Sequence, residues 1–192
     1  MTRILAFSAL VLLFFAFEGS FFIQNSAISS YSFLFLEPSG NPQIIFGGGY
    51  IFSEALYLNR GADDGAEAGD LIVYGKNIAV GKIVEVFPKF SKVAPFSKFG
   101  EKTPLRTGDQ KSVLFEGAGR GGGEISADFP NTIPINAGDG VYLAQAPSYV
   151  AGVIEYADKK EGRDFQKVSI RIPVSLNSIT DVAIIKSNAA ER

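Results

Sequence analysis

The sequence predicts an all-β protein, with two small, similar β-barrel-like subdomains after a single N-terminal transmembrane helix. Three observations predict this architecture. Residues 4–23 are almost entirely apolar, residues 54–186 read as short strands separated by turn residues, and one β pattern occurs twice within that second region. No stretch of the second region has the apolar spacing and capping residues of an amphipathic helix.

The composition excludes several classes of chemistry. The chain has 192 residues with no cysteine, no histidine and a formal net charge of −2. It therefore lacks disulfides, thiol nucleophiles, the usual general base and the commonest metal ligand, and it offers no basic field for nucleic acid. We predict no cofactor, no metal site, no nucleic-acid partner and no enzyme activity. A surface enzyme with two facing carboxylates is the distant alternative, because their spacing in space cannot be read from a sequence.

The first element, residues 1–23, is predicted to be a cytoplasmic N-terminus and a transmembrane anchor. Ile4 to Ile23 make 20 residues, which span about 30 Å as a helix. Arg3 precedes this segment and the next basic residue is Arg60, so the positive-inside rule places the N-terminus in the cytoplasm. The predicted location is the cytoplasmic membrane, crossed once, with an extracytoplasmic C-terminal domain. A cleaved signal peptide is the alternative, although the cleavage site would be poor.

Residues 24–53 are predicted to form a short stalk that is apolar and rich in turn residues. Two stretches with β character, "YSFLFL" and "QIIF", flank the turn signal "EPSGNP". No heptad repeat is present, so a coiled coil is not predicted. The stalk either binds a partner or the membrane interface, or packs on the following domain, or forms an ordinary linker.

A repeated pattern predicts that the β region contains two similar subdomains. Residues 67–86 read "EAGDLIVYGKNIAVGKIVEV", and residues 136–156 read "NAGDGVYLAQAPSYVAGVIEY". Each copy has a Gly-Asp pair before a strand, which suits a tight turn, and a later glycine inside the next strand, which indicates a bulge or bend. The residues predicted to make turns and bends are Gly61, Gly65, Gly69, Asp70, Gly81, Gly138, Asp139, Gly152 and Pro173.

The predicted boundaries follow the repeat. The first β-subdomain covers residues 54–116, and a Gly-rich connection covers 117–123. The second β-subdomain covers 124–186 and can pair with the chain ends, and a C-terminal tail covers 187–192.

The connection "GAGRGGG" contains G-x-G-x-x-G, but a dinucleotide site needs a helix after this motif, and the residues that follow look extended. The acidic stretch "DDGAEAGD" lacks the spacing of a calcium loop and favours a solvated turn.

One segment, "FPKFSKVAPFSKFGEK" at residues 87–102, interleaves aromatic and basic side chains. It predicts a surface that binds a partner protein or an anionic polymer. The alternative is a strand and loop whose phenylalanines pack inward while the lysines stay in water. The candidate partner-binding residues are Phe87, Lys89, Phe90, Lys92, Phe96 and Lys98.

Taken in order, four stretches resemble the extracytoplasmic domain of the rod shape-determining MreC family. These stretches are "LNRGADDGAEAGDLIV", "AVGKIVEVFPKFSKV", the pair "INAGDGVYLA" and "YVAGVIEY", and the closing "SIRIPVSLNSITDVAII". Together they cover about residues 56–186. The chain departs from the family in having no coiled-coil stalk, and in reading "AQAPSYVAG" where the family has Thr-Ser-Gly and Pro-x-Gly-x-Pro residues.

The resemblance implies a function as well as a fold. It implies a membrane-anchored extracytoplasmic scaffold of the cell-elongation and cell-shape machinery, which docks peptidoglycan synthesis proteins. The implied partners are a cell-wall synthesis transpeptidase, other membrane proteins of the elongation complex, and further copies of the chain. An exported β-domain that serves as a binding module or as a periplasmic adaptor of a secretion system is the alternative.

Overall fold

The protein folds into short β-strands. A computed structural model describes residues 40–48, 55–108, 113–159 and 162–187. Its strands are β1 (Ile44–Gly48), β2 (Ala55–Leu58), β3 (Leu71–Tyr74), β4 (Ile78–Val86), β5 (Ser91–Pro95), β6 (Lys102–Thr107), β7 (Val113–Gly121), β8 (Glu124–Pro130), β9 (Gly140–Leu143), β10 (Val150–Asp158), β11 (Phe165–Arg171) and β12 (Ala183–Ile185). Two 3-10 turns lie at Ala62–Asp64 and Leu176–Ser178. The prediction of an all-β protein is confirmed.

The predicted anchor, residues 1–23, lies outside the described ranges, as does most of the predicted stalk, 24–53. Within those ranges, no helix has the length and apolar character needed to cross a bilayer.

Strands β6 to β11 form a closed six-stranded barrel. Around the barrel the order is β6, β7, β8, β11, β10 and β9, and β9 pairs back onto β6. Every neighbouring pair is antiparallel. The core side chains that are at most 1% exposed include Leu105, Ile125, Phe129, Ile154 and Ile170. Alternation along each strand brings these apolar residues to one face, and closure of the sheet buries that face.

The other six strands, which belong to the same twelve-stranded sheet, repeat this order. The sequence of neighbours is β12, β3, β4, β5, β2 and β1, so each strand has a counterpart in the closed barrel. Among the described residues, β12 and β1 meet at an isolated bridge between Gln43 and Asp181, with one backbone hydrogen bond on each side of it. The apolar core of this first barrel includes Leu58, Ile72, Val80, Ile83 and Val93, each at most 1% exposed.

Strand β3 explains how the two barrels pack together. Ile72 belongs to the core of the first barrel, whereas Leu71 and Val73 belong to the core cluster of the closed barrel. The strand is thus buried on both faces, which is the reason for its unbroken apolar sequence "LIVY". The counterpart strands β4 and β10 also meet directly, in a short parallel pairing between Ile78 and Val150.

The two Gly-Asp turns repeat each other hydrogen bond by hydrogen bond. In both, the glycine N–H donates over 2.8 Å to a carbonyl of the next long strand, and the aspartate Oδ2 accepts over 2.9 Å from the N–H three residues earlier. Gly69 and Gly138 have φ of 93° and 95°, the left-handed region that favours glycine. The predicted strand glycines Gly81 and Gly152 are both buried and lie beside a register shift in β4 and β10.

The remaining predicted turn residues have separate roles. Gly65 ends the first 3-10 turn with φ of 78°. Gly61 has an extended φ of −132°. Its backbone lies close to the backbone of Phe87 and Pro88, a contact described below. Pro173 is exposed and lies two residues after the end of β11.

The aspartates of the two turns differ in their surroundings. Asp70 is fully buried, and its Oδ2 also accepts a hydrogen bond from Lys186 Nζ over 2.9 Å. The Ser187 N–H donates to Asp70 Oδ1 over 3.3 Å. The hydrogen bond from Lys186 to Asp70 is the main reason that the pKa of Lys186 is raised. Asp139 is half-buried instead. The C-terminal end of the described chain is therefore fastened to the first Gly-Asp turn.

We expect Asp70→Ala to lower the free energy of unfolding by about 3 kcal/mol, and Asp139→Ala by about 1 kcal/mol. The larger cost arises because the fully buried Asp70 carboxylate accepts from two backbone N–H groups and from Lys186, and the first change leaves all three without this acceptor. Urea unfolding followed by circular dichroism measures both values. Equal losses in the two variants would contradict a special role for the first turn.

The strand pairing corrects the predicted boundaries. Strand β6 lies within the predicted first subdomain, 54–116, but it completes the closed barrel, which is the second barrel along the chain. Strand β12 lies within the predicted second subdomain, 124–186, but it pairs with β3 of the first barrel. The predicted connection 117–123 is a hairpin: residues up to Gly121 belong to β7, and the next two residues turn into β8. The second barrel is thus one continuous run of strands, whereas the first barrel is completed by β12, which follows the second barrel in the chain. Local patterns cannot reveal this pairing.

Candidate partner-binding surface

The turn between β4 and β5 carries a cluster of aromatic side chains. The Phe87 N–H donates to the Phe90 carbonyl over 2.9 Å, and the two rings stack with centroids 4.4 Å apart at 18°. Tyr57 of β2 lies beside them, with its ring centroid 6.3 Å from that of Phe90. All three side chains are half-buried, so each presents part of its ring to solvent. We call Tyr57, Phe87, Lys89, Phe90 and Lys92 the hairpin surface.

A second loop holds this turn in place. The Ala62 N–H donates to the Phe87 carbonyl over 2.8 Å, and the Asp63 N–H donates to the Pro88 carbonyl over 3.0 Å. A Cβ at Gly61 would lie 2.2 Å from the Phe87 carbonyl oxygen, so only glycine permits this approach. The turn is fixed by backbone contacts, and its aromatic rings are preorganised.

Basic side chains border the aromatic cluster. Lys89 is exposed, and Lys92 Nζ lies 3.0 Å from Glu85 Oε1 in a partly exposed ion pair. Such pairs contribute only about 0–1 kcal/mol, so Lys92 can change its partner at small cost. The hairpin surface therefore combines apolar contact area with positive charge, which suits non-covalent binding of a partner that carries carboxylates beside apolar residues.

The structure divides the six predicted partner-binding residues into two groups. Phe87, Lys89, Phe90 and Lys92 share the hairpin surface, whereas Phe96 and Lys98 lie at the opposite end of β5. Phe96 is only 5% exposed and belongs to the core cluster of the second barrel. This side chain packs inward, as the alternative interpretation of the segment predicts. The unbroken apolar run "VAPF" is the signal that could have indicated this burial.

Sequence reasoning missed Tyr57. Its strand β2 pairs with β5, which places Tyr57 opposite Lys92 and next to the aromatic turn. The alternation of "ALYL" indicates that Tyr57 points away from the core, but it does not identify the neighbouring strand.

The acidic loop makes structural contacts. Asp64 Oδ2 accepts a hydrogen bond from the Gly61 N–H over 3.0 Å, and Asp70 is engaged by Lys186 as described above. Across the described parts of the chain, no three His, Cys, Asp or Glu residues are grouped so that they could hold a metal ion.

Comparisons with known proteins identify related sequences and folds. The family model described as rod shape-determining protein MreC, barrel core, matches residues 44–186. The crystal structure of MreC from Pseudomonas aeruginosa has a TM-score of 0.68 at 16% identity, over 76% of this chain and 97% of that one. MreC of Listeria monocytogenes gives 0.64 at 14% identity, over 78% and 75%. No curated protein matches the chain. At these identities, the structural likeness shows a shared fold.

Proposed function

Because this chain belongs to the MreC family of rod shape-determining proteins, we propose that it is a membrane-anchored extracytoplasmic scaffold that docks peptidoglycan synthesis proteins. The family match over residues 44–186 carries this proposal, and it favours the scaffold over a secretion-system adaptor. In the proposed arrangement, residues 1–23 cross the cytoplasmic membrane once with the N-terminus inside. The two barrels then stand outside, near the enzymes of cell-wall synthesis.

The proposed mechanism is docking without catalysis. The stacked rings of Phe87 and Phe90 supply apolar contact area, and Lys89 and Lys92 supply charge at its border. Aromatic side chains carry much of the energy of protein interfaces. Since the Gly61 loop already fixes the turn, binding loses little conformational entropy there. We place the synthase-binding face at this hairpin surface.

The proposal is tested by binding the full chain, in detergent micelles, to the extracytoplasmic region of the elongation transpeptidase from the same organism. We expect a micromolar or tighter Kd, and we expect the double variant Lys89→Glu/Lys92→Glu to weaken it at least about tenfold. Charge reversal acts at the border of the contact, where it slows association and opposes an acidic partner. Surface plasmon resonance measures both rates.

The matched control is Lys76→Glu/Lys159→Glu, which reverses two exposed lysines that do not belong to the hairpin surface, one between β3 and β4 and one after β10. It makes the same change in net charge and should leave the Kd within about twofold. Equal weakening in both double variants would refute the location of the surface. No binding by a folded chain would refute the docking function.

A further inference from the structure

A cavity of about 130 Å³ lies where the two barrels meet, at the end of β5 opposite the hairpin surface. Its apolar walls include Leu71 and Phe96 from the first half of the chain and Leu143 from β9. An apolar cavity of about 150 Å³ can accommodate benzene. This cavity is thus large enough for one isobutyl or phenyl group.

One buried polar group at the cavity has no partner. Thr103 lines the cavity and is 5% exposed, and its Oγ1 makes no hydrogen bond within the described residues. An unpaired buried hydroxyl costs about 1–3 kcal/mol. The Oγ1 is itself buried, so a ligand gains that energy only if the Thr103 side chain changes its χ1 rotamer and turns the hydroxyl toward the cavity. The cavity therefore favours a ligand that has a polar group next to its apolar part.

Two lysines on the cavity wall supply positive charge. Lys82 Nζ lies 2.9 Å from Glu101 Oε1, and Lys102 Nζ lies 2.9 Å from Glu116 Oε1. The lysine side chains are 42% and 70% exposed, and such exposed pairs contribute only about 0–1 kcal/mol. A ligand carboxylate can therefore replace a glutamate at little cost. The hydrogen bond with Glu116 raises the pKa of Lys102. A lysine amine is charged at neutral pH with or without such a partner.

We propose that this cavity binds the C-terminal residue of a partner polypeptide. The terminal apolar side chain enters between Leu71, Phe96 and Leu143, and the α-carboxylate pairs with Lys82 and Lys102. The last peptide group supplies the partner that the Thr103 hydroxyl lacks. The site is separate from the hairpin surface, and it does not depend on the docking of a synthase.

The probe is N-acetyl-Ala-Leu, titrated into the isotope-labelled full chain in detergent micelles and followed by the backbone amide signals of Leu71, Thr103 and Ala146. We expect saturable shifts, with binding at least about tenfold weaker for the same peptide with a C-terminal amide, a loss of about 1.4 kcal/mol. Lys82→Gln/Lys102→Gln should weaken binding by a similar factor, and Thr103→Val should weaken it as well. Lys89→Gln/Lys92→Gln is the matched control and should have no effect.

Three results would overturn the proposal. The first is no saturable shift up to about 10 mM peptide. The second is equal binding of the acid and the amide, because the lysines would then not select a carboxylate. The third is tighter binding of N-acetyl-D-Ala-D-Ala than of the L-peptide, which would assign the cavity to cell-wall stem peptides and not to a polypeptide. None of these results bears on transpeptidase binding at the hairpin surface, which is measured separately.

Discussion

Ending the chain at Thr180 is expected to lower the free energy of unfolding by about 5 kcal/mol or more. The truncation removes β12, which pairs with β3 through three residues, and it removes Val182 from the core of the first barrel. It also leaves the buried carboxylate of Asp70 without Lys186. A typical domain is stable by only about 5–15 kcal/mol, so the first barrel should not remain folded.

The matched control ends the chain at Ser187, which keeps β12 and the Lys186–Asp70 contact and removes only residues 188–192. We expect this variant to unfold in urea at the same midpoint as the full chain. The shorter variant should lose part of its β-sheet signal in circular dichroism before any urea is added. A full β signal and an unchanged midpoint in the shorter variant would contradict the role of β12 in the first barrel.

Gly119→Ala is expected to cost about 3 kcal/mol or more. A Cβ at this position would lie 2.0 Å from the Lys98 carbonyl oxygen and 2.7 Å from the Ser97 backbone. Strand β7 crosses here against the chain that leads from β5 to β6, and Gly119 donates its N–H to the Glu101 carbonyl over 2.8 Å. Since backbone atoms surround the site, no side-chain rotation can relieve the clash.

Gly117→Ala on the same strand is the comparison. Its Cβ would meet the side chains of Leu105 at 2.6 Å and Ile125 at 2.7 Å. These side chains can repack, so the expected cost is about 1–3 kcal/mol, below that of Gly119→Ala. Urea unfolding of both variants measures the difference. A larger loss for Gly117→Ala would show that packing in the core of the closed barrel, and not the approach of two backbones, sets the need for glycine.

The "GAGRGGG" segment shows that a glycine-rich stretch can have either of two structural roles. Glycine provides flexibility in a linker, and it also permits backbones to approach closely inside a sheet. The local sequence predicts a flexible connection, but Gly117 and Gly119 are buried in β7. Only Gly122 and Gly123 form a turn. The distinction depends on the chain at residues 97–101, which passes over β7 and is distant in the sequence.

The hairpin surface could be predicted only in part, because its makeup also depends on segments that are distant in the sequence. Phe87, Lys89, Phe90 and Lys92 surround one tight turn, so a local pattern brings them together. Phe96 follows the same strand, but the packing of the second barrel against this end of β5 buries it. Tyr57 joins the surface through the pairing of β2 with β5, which no local pattern specifies.

The sequence by itself determined the all-β class and the duplicated Gly-Asp turns, because these follow from side-chain alternation and backbone preferences within a few residues. It also determined the family, through the order of four stretches along the β region. The tertiary structure decided which strand completes which barrel. It also decided which glycines are needed for close approach and which phenylalanines are exposed. Each of these depends on pairing between segments far apart in the chain, where one strand can satisfy its hydrogen bonds with many different neighbours, and only the packing of the two cores selects among them.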